Sequence, residues 1–510
     1  MTALEPVGSS TGRTDSRDVL APVVDALVAR GCTVQRRPDG LLLTEGEPAS
    51  LLDVAAALHT PALEAPRLLD LWGEESQEGW SARLLVGCGD RFLLHRARLD
   101  TGLELPDIGA LQPAAHWLAR DMMGRTPLRV AGWDPAVGVP EAPPQPLGAT
   151  QGRGVFTIPF GPVRSGVVEA MLYDVATAGE DMLQVVPRTG FKRRGLERRL
   201  CEVPLDQVQL VAERIAGVYS VAAALAVCQA VENAAAVELD PRAEAIRAVL
   251  AELERIHNHC DSIMKLSDDA SLGVGTAQMG ILKERILRLL AALTGHRYGR
   301  GIVLPGGVTR ALSDVALVEE LRSFERDGQR VQHLLLTTDS FLDRLQATGR
   351  ITLADTAALG ASGPVARGSQ LAWDARAERP YGAYRENRVS AAVMADCDAM
   401  ARTEVRMAEI RTSLSFIVDA TRAHDLTRPG TLAPPRPEPG AVGIGWVEAP
   451  EGEWLAVVEM GADGRLARAR LRPASLLNFG CFQRACEGWV LTDFAFIEHS
   501  FGLSVAGRDR

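Results

Sequence analysis

The sequence predicts an α+β chain, with a small α/β domain first, a proline-rich connection, and a larger, mostly helical domain flanked by β-hairpins. Three observations carry that reading. Short apolar runs of strand and helix type alternate over residues 19–133, and residues 134–152 contain five prolines. Beyond residue 240, apolar residues recur at three- and four-residue intervals over long stretches.

Residues 1–18 are polar and turn-rich and are expected to form a disordered tail. In the first domain, 19–133, Leu20–Arg30 has helical spacing and Leu41–Thr44 is a short apolar strand. Ala82–Arg96 reads as a β-hairpin turning at Gly87–Asp90. Proline removes backbone donors and fixes φ, so 134–152 is a semi-rigid linker and the domain boundary. The second domain, 153–510, opens with strand-like VFTIPFGPV, GVVEAMLYDVAT and EDMLQVVPRTG. In Ala243–Leu266 the residues Ile246, Val249, Leu250, Leu253, Ile256, Ile263 and Met264 mark one buried face of a helix that begins after Pro241. Gln278–Leu293, Val315–Gln346 and Ala391–Ala420 repeat the pattern. The stretch Arg428–Gly440 breaks it, and strands follow at Val442–Val447 and Trp454–Glu459.

Of the 510 residues, 46% are hydrophobic and 24% charged, enough for a sizeable core. A net charge of -10 argues against nucleic acid as a partner. The eight cysteines are scattered with no CxxC pair, which predicts reduced thiols in a cytosolic protein. No basic flank precedes an apolar run near Met1, so no signal peptide is expected. The most apolar helical stretch, Val218–Leu239, is interrupted by Gln229, Glu232 and Asn233 and should not span a bilayer. A membrane location would therefore depend on other subunits.

Eight segments of the second domain, in order, resemble the large subunit shared by energy-converting nickel–iron hydrogenases, formate hydrogenlyase and complex I. They are IPFGPVRSGVVEA (158–170), RTGFKRRGLERRL (188–200), ERIAGVYSVAAALAVCQAVENA (213–234), RAVLAELERIHNHCDSI (247–263), KERILRLLAALTGHRYGRGIVLPGGV (283–308), LGASGPVARGSQLAWDARAERPYGAY (359–384), DCDAMARTEVRMAEI (396–410) and VEAPEGEW (447–454). The first domain, above all AAHWLARDMMGRTPL (114–128), resembles the 30-kDa partner subunit of complex I, which some relatives carry fused ahead of the 49-kDa-like large subunit.

The resemblance sharpens the reading of individual residues. A nickel–iron centre needs two pairs of thiolates from distant segments. Where the family has them, this chain has Ala216 and Tyr219 in the first segment, and Ser504 and Gly507 in SFGLSVAGRDR. That ending resembles the complex I form, with its final Asp509-Arg510 and no remaining extension to be cut off. In complex I a quinone headgroup lies between a His on the first hairpin and a Tyr in the segment matching 213–220. Here the His position falls at Arg164 or Ser165, and the Tyr position falls at Gly217, two residues before Tyr219. One reading joins Arg164 and Tyr219 as binders of a quinone, with the phenol as proton donor. The other makes Tyr219 a space-filler and pairs Arg164 with a carboxylate.

Arg188, Lys192, Arg193, Arg194, Arg198 and Arg199 form a cationic run whose default reading is a solvated or partner-facing surface. GFKRRGLE also resembles a hairpin whose arginine lies against the 4Fe-4S cluster of an adjacent small subunit. That places Arg194 beside the cluster, with Glu197 also matching and Arg193 standing where the family has His. His257 and His259 point about 200° apart on a helix and cannot share a metal; with Cys260 they read as packing residues. Asp268 and Asp269 are either a helix-ending turn or an acid near the cavity that relays protons, a role assigned to Asp269. Leu304–Val308 (LPGGV) lacks the Lys-Ser/Thr of a phosphate loop and reads as a turn.

The resemblance therefore implies a nickel-free oxidoreductase subunit with no directly bound cofactor, passing electrons from the neighbour's 4Fe-4S cluster to a quinone-like acceptor. The implied partners are that small iron–sulfur subunit, membrane-arm subunits and a ferredoxin-like or other electron-input subunit. The complex would be peripheral on the inner face of the cell membrane, and the family's association with NAD binding comes with it. The rivals are a non-catalytic scaffold and a true hydrogenase.

Overall fold

The computed structural model describes residues 19–37, 39–58, 65–99, 102–133, 152, 154–164, 169–312, 317–430 and 433–510. The expected tail, nearly all of the linker, and Ser165 lie outside the described residues. The chain divides into two compact units, Met1–Gly132 and Trp133–Arg510.

The first unit contains α1 (Ala21–Ala29), β1 (Thr33–Arg36), β2 (Leu42–Gly46), α2 (Ser50–Ala57), β3 (Arg67–Ser76), β4 (Gly79–Cys88), β5 (Arg91–Arg98), β6 (Glu104–Leu105), α3 (Ala114–Met123) and β7 (Arg129–Val130). Its sheet has the order β1-β2-β5-β4-β3, with β2 and β5 parallel and the other neighbours antiparallel. Cys88 faces Arg91, so the expected hairpin turns tightly at Gly89–Asp90. Leu84, Leu85, Val86 and Leu93 are buried without exposure, so both faces of β4 are covered. That explains why its sequence is a continuous apolar run rather than an alternating one.

The second unit opens with an antiparallel sheet of β8 (Phe156–Phe160), β9 (Leu172–Thr177) and β10 (Met182–Arg188). Then come α4 (Leu196–Glu202), α5 (Val208–Ala212), α6 (Ser220–Ala234), α7 (Pro241–Asp269) and α8 (Gly273–Thr294). The glycine-rich turn joins β11 (Val303–Leu304) to β12 (Gly307–Val308), as a hairpin. Helices α9 (Leu317–Leu336), α10 (Asp339–Leu345), α11 (Leu353–Ala358), α12 (Gly363–Arg367), α13 (Ala375–Glu378) and α14 (Ala399–Ala423) follow. The sheet of β13 (Val442–Ala449), β14 (Gly452–Met460) and β15 (Leu466–Arg472) precedes α15 (Ser475–Cys486), α16 (Phe494–Phe501) and α17 (Val505–Asp509).

Three helical expectations change. Val315–Gln346 is two helices, because Thr337 and Thr338 turn their hydroxyls back onto the carbonyls of His333 and Leu334 and end α9. The helix expected from Ala391 starts at Ala399, where Asp398 accepts from the Ala401 amide at 2.8 Å and Cys397 has a positive φ of 64°. Finally, α7 is buried on nearly all sides, not one. Its charged residues are paired internally. Arg376 reaches Glu252 at 3.1 Å, Arg255 lies 3.2 Å from Glu252 and 3.6 Å from Glu409, and Arg367 of the neighbouring α12 in turn bridges Glu409 (2.8 Å) and Glu448 (2.8 Å). Burial acts to raise Glu252, but Arg255 and Arg376 hold it down to about 2.

Close packing around α6 explains its small residues. A Cβ at Gly443 or Gly445 of β13 would fall 1.9 Å from the Ala230 carbonyl oxygen or 2.0 Å from that of Ala226. Only glycine lets the strand lie on the helix backbone. No helix among the described residues is long and apolar enough to cross a membrane.

Candidate functional site

Tyr219 stands at the N-terminus of α6, at the end of the loop 213–219 that α7 and the 295–302 connection hold in place. Glu254 of α7 accepts from the amides of Val221 (2.7 Å) and Ala222 (2.9 Å), which are otherwise unpaired at a helix start. Burial pushes Glu254 up to about 8 against those hydrogen bonds. Asn258 donates to the Val218 carbonyl at 2.7 Å, and Glu213 accepts from the Gly301 amide at 2.6 Å. The phenol is therefore placed by a rigid frame. It is 5% exposed, and its hydroxyl donates to the Gly502 carbonyl at 3.1 Å. Burial, reinforced by nearby Glu451, pushes the phenol well above its ordinary range, so it stays neutral and remains a donor.

That hydrogen bond brings together the two segments in which the resemblance located missing thiolates. Ala216 and Gly507 offer no donor atom. Ser504 Oγ is engaged in capping α17, accepting from the Gly507 amide at 2.9 Å. Trp454 fills the space between them: its ring centroid lies 6.4 Å from that of Tyr219, and a Cβ at Gly507 would meet its Cζ2 at 3.4 Å. The indole N–H donates to Glu451 at 2.5 Å, and Ser475 donates to the other oxygen of that carboxyl. Glu169 accepts from the amides of Val505 (2.6 Å) and Ala506 (3.2 Å). The residues at the positions that the resemblance assigns to thiolates do not fit a nickel–iron centre, since a methyl group, a bare glycine, a committed hydroxyl and a neutral phenol would have to serve where four soft sulfur ligands are needed.

Arg164 is engaged by a carboxylate. It makes a two-pronged pair with Glu498 (2.8 and 2.7 Å), Tyr173 donates to the same carboxylate at 2.8 Å, and the guanidinium lies over the rings of Phe160 and Tyr173. Asp269 ends α7 and pairs with His499 at 2.5 Å. Tyr219, Arg164 and Asp269 thus converge on one short element: Arg164 on Glu498 and Asp269 on His499 of α16, and Tyr219 on Gly502, its left-handed C-cap. Neither Glu498 nor His499 stands out in the sequence, because a short polar triplet, Glu498–Ser500, between apolar residues carries no motif that marks a site.

Arg194 lies on an exposed loop and donates to the carbonyls of Arg214 (2.9 Å) and Ile215, so it touches the Tyr219 loop from outside. Asp509 fixes that loop by accepting from the amides of Gly190 (2.9 Å) and Lys192 (2.9 Å). Glu197 accepts from the Leu471 amide (2.9 Å) and from wholly buried Arg510 (2.8 Å). Arg193, Arg198 and Arg199 are exposed. Arg198 and Arg199 share Glu202 at 3.1 and 3.0 Å. His257 and His259 turn to different partners: His259 meets Glu409 at 2.8 Å, while His257 packs edge-on against Tyr298.

Residues 272–428 match the family described as the respiratory-chain NADH dehydrogenase 49 Kd subunit. Formate hydrogenlyase subunit 5 of Escherichia coli is 27% identical over 362 residues, 69% of this chain and 63% of that protein. The carbon monoxide-induced hydrogenase of Rhodospirillum rubrum is 26% identical over 364 residues, 70% of this chain and 99% of its own length. An NADH-quinone oxidoreductase subunit of Geotalea uraniireducens is 24% identical over 390 residues, again 70% of this chain and 99% of the relative. The chain is thus a relative, over about 70% of its length, of a complex I subunit and of hydrogenase-related proteins, formate hydrogenlyase subunit 5 among them.

Proposed function

We propose that this chain is a nickel-free electron-transfer subunit of a complex I-like membrane complex, passing electrons from a partner's 4Fe-4S cluster to a quinone-like acceptor. The relatives are oxidoreductase subunits by name, which supports the broad class. The observation that carries the finer reading is the Tyr219–Gly502 hydrogen bond. A neutral, buried phenol lies where the two segments that the resemblance aligns with the ligand-bearing ones meet, with Ser504 at another of those positions and Trp454 packed beside them.

A quinone would become its hydroquinone by taking two electrons, passed from the partner's cluster, and two protons, delivered in turn through Tyr219. Tyr219 would donate its hydrogen bond to the acceptor's oxygen in place of the Gly502 carbonyl, and give up the proton as negative charge builds there. The pair of His499 on α16 and Asp269 at the end of α7 is the candidate for returning that proton. Arg164 acts as a positioning residue, holding α16 to the first sheet of this unit. Arg194 and the exposed cations around it form the surface for the iron–sulfur subunit, and a positive charge beside the cluster favours its reduced form.

A second reading is a scaffold without acceptor chemistry, favoured by the completeness of the Arg164–Glu498 pair. Analysis of the complex purified through this subunit tests both. The proposal expects bound quinone and nickel far below one atom per chain. Near-stoichiometric nickel, or hydrogen evolution from a reduced dye, would sink it; absence of quinone together with unreactivity toward added quinone favours the scaffold.

A further inference from the structure

Buried arginines in the second unit follow a rule. Arg247, Arg255, Arg367, Arg376 and Arg472 each meet a carboxylate, at 2.6 Å (Glu232), 3.2 Å (Glu252), 2.7 Å (Glu409), 2.7 Å (Asp374) and 2.5 Å (Glu453). Arg402 and Arg406, one turn apart on α14, break it. They are 0% and 1% exposed, and neither has a carboxylate partner among the described residues.

Arg402 donates Nε to Ser500 Oγ and Nη2 to the Gly349 carbonyl, both at 3.0 Å, and lies over the ring of Phe501; its buried Nη1 has no partner among the described residues. Arg406 donates one hydrogen bond, to the Arg402 carbonyl at 3.0 Å. The acids nearby are committed elsewhere. Asp398 accepts from the amides of Ala401 (2.8 Å) and Ala347 (2.7 Å), and Glu409 is shared by His259 and Arg367. A guanidinium stays charged inside a protein. Two like charges on adjacent turns, out of water, call for a negative charge that the described residues do not supply. In keeping with this, burial pulls Arg402 down to about 9 and Arg406 to about 10, while the carboxylates around Arg367 drive it upward.

Glycines face these groups. A Cβ at Gly502 would fall 2.8 Å from Arg406 Nη2, and one at Gly349 would fall 3.2 Å from Arg402 Nη2. We infer that Arg402 and Arg406 form a buried binding site for a small monovalent anion, of halide or carboxylate size, beside the C-cap of α16. The bound ion would balance the two guanidiniums and hold α14 against Ser500–Gly502. It would also fix the carbonyl that receives the Tyr219 hydroxyl. This inference stands apart from the acceptor reading: the site binds its anion whether or not Tyr219 does chemistry.

The test is thermal unfolding of the full chain in sodium chloride, nitrate or formate against sodium gluconate at matched ionic strength, gluconate being too bulky for a buried site. A ligand that binds only the folded state should raise Tm with its logarithmic concentration, by on the order of 2–4 °C at saturating anion. The gain should vanish in Arg402→Met and in Arg406→Met. Equal Tm in chloride and gluconate, or a gain that persists in both variants, overturns the proposal. If the variants do not fold, bromide-soaked crystals of the unaltered chain decide. An anomalous peak within hydrogen-bonding distance of the two guanidiniums supports the site, and its absence at high bromide refutes it.

Discussion

Replacing Arg164 with alanine separates positioning from acceptor binding, and the structure sets the size of the effect. Arg164 and Glu498 have side chains 6% and 14% exposed and are joined by two hydrogen bonds of 2.8 and 2.7 Å. Removing one partner of a buried pair costs ~3–5 kcal/mol, because the other charge is left uncompensated. Tyr173 still donates to Glu498 and some water reaches it, which pulls the cost toward the lower bound. Loss of the stacking over Phe160 and Tyr173 adds about 0.5–1 kcal/mol. Arg164→Ala should therefore lower the stability of the second unit by about 3–4 kcal/mol, read by urea unfolding. Arg164→Met combined with Glu498→Gln removes both charges and keeps an acceptor for Tyr173, and should recover all but about 1 kcal/mol. Electron flux in the assembled complex should return with stability in the double variant. A single variant costing under ~1 kcal/mol, or a double variant no more stable than the single, refutes the structural reasoning. Recovered stability with flux still abolished would mean that Arg164 contacts the acceptor.

Three further outcomes follow from the site. Arg194→Met should lower the reduction potential of the partner's terminal cluster by on the order of tens of millivolts in an intact complex; an unchanged potential in redox-titrated EPR counts against its place beside the cluster. Asp269→Asn should slow proton-coupled turnover about tenfold or more and raise the solvent isotope effect while assembly persists, and an unaltered isotope effect removes it from the relay. Burial raises Glu451 to about 7 from 4.5, so the folded state binds a proton that the unfolded state has released. That contribution to stability is complete below pH 4.5 and is lost as pH rises through about 7. Glu451→Gln should flatten the decline in Tm across that interval, and an identical pH profile would show the carboxyl to be ionised in the fold.

Much of the fold is legible in the sequence because it rests on local signals. Asp240-Pro241 marks the start of α7, Gly89–Asp90 turns β4 into β5, and Pro305-Gly306 turns β11 into β12. What the sequence hides has one physical source: tertiary partners invisible in one dimension. The face of α7 that reads as polar is buried because Glu252 and Arg255 pair with each other, with Arg376 of α13 and with Glu409 of α14. β15 escapes a sequence reading because its polar outer residues hide a strand whose Arg470 and Arg472 are buried against carboxylates. Tyr219, Arg164 and Asp269 can each be named from the sequence. Their convergence on Glu498, His499 and Gly502 cannot, since it joins segments more than two hundred residues apart. The same holds for Asp509 and Arg510, which clasp the Arg194 loop.

The central claim is that the position left by the thiolates handles an acceptor through the Tyr219 hydroxyl. It is tested most directly by quinone reduction in assembled complexes carrying Tyr219 or Tyr219→Phe, normalised to cluster content. Loss of one buried hydrogen bond should cost only about 0.5–1.5 kcal/mol of stability, so the variant should assemble. Loss of the proton donor should lower turnover roughly 10²–10⁴-fold. An assembled Tyr219→Phe complex that reduces quinone at the unaltered rate would contradict the account.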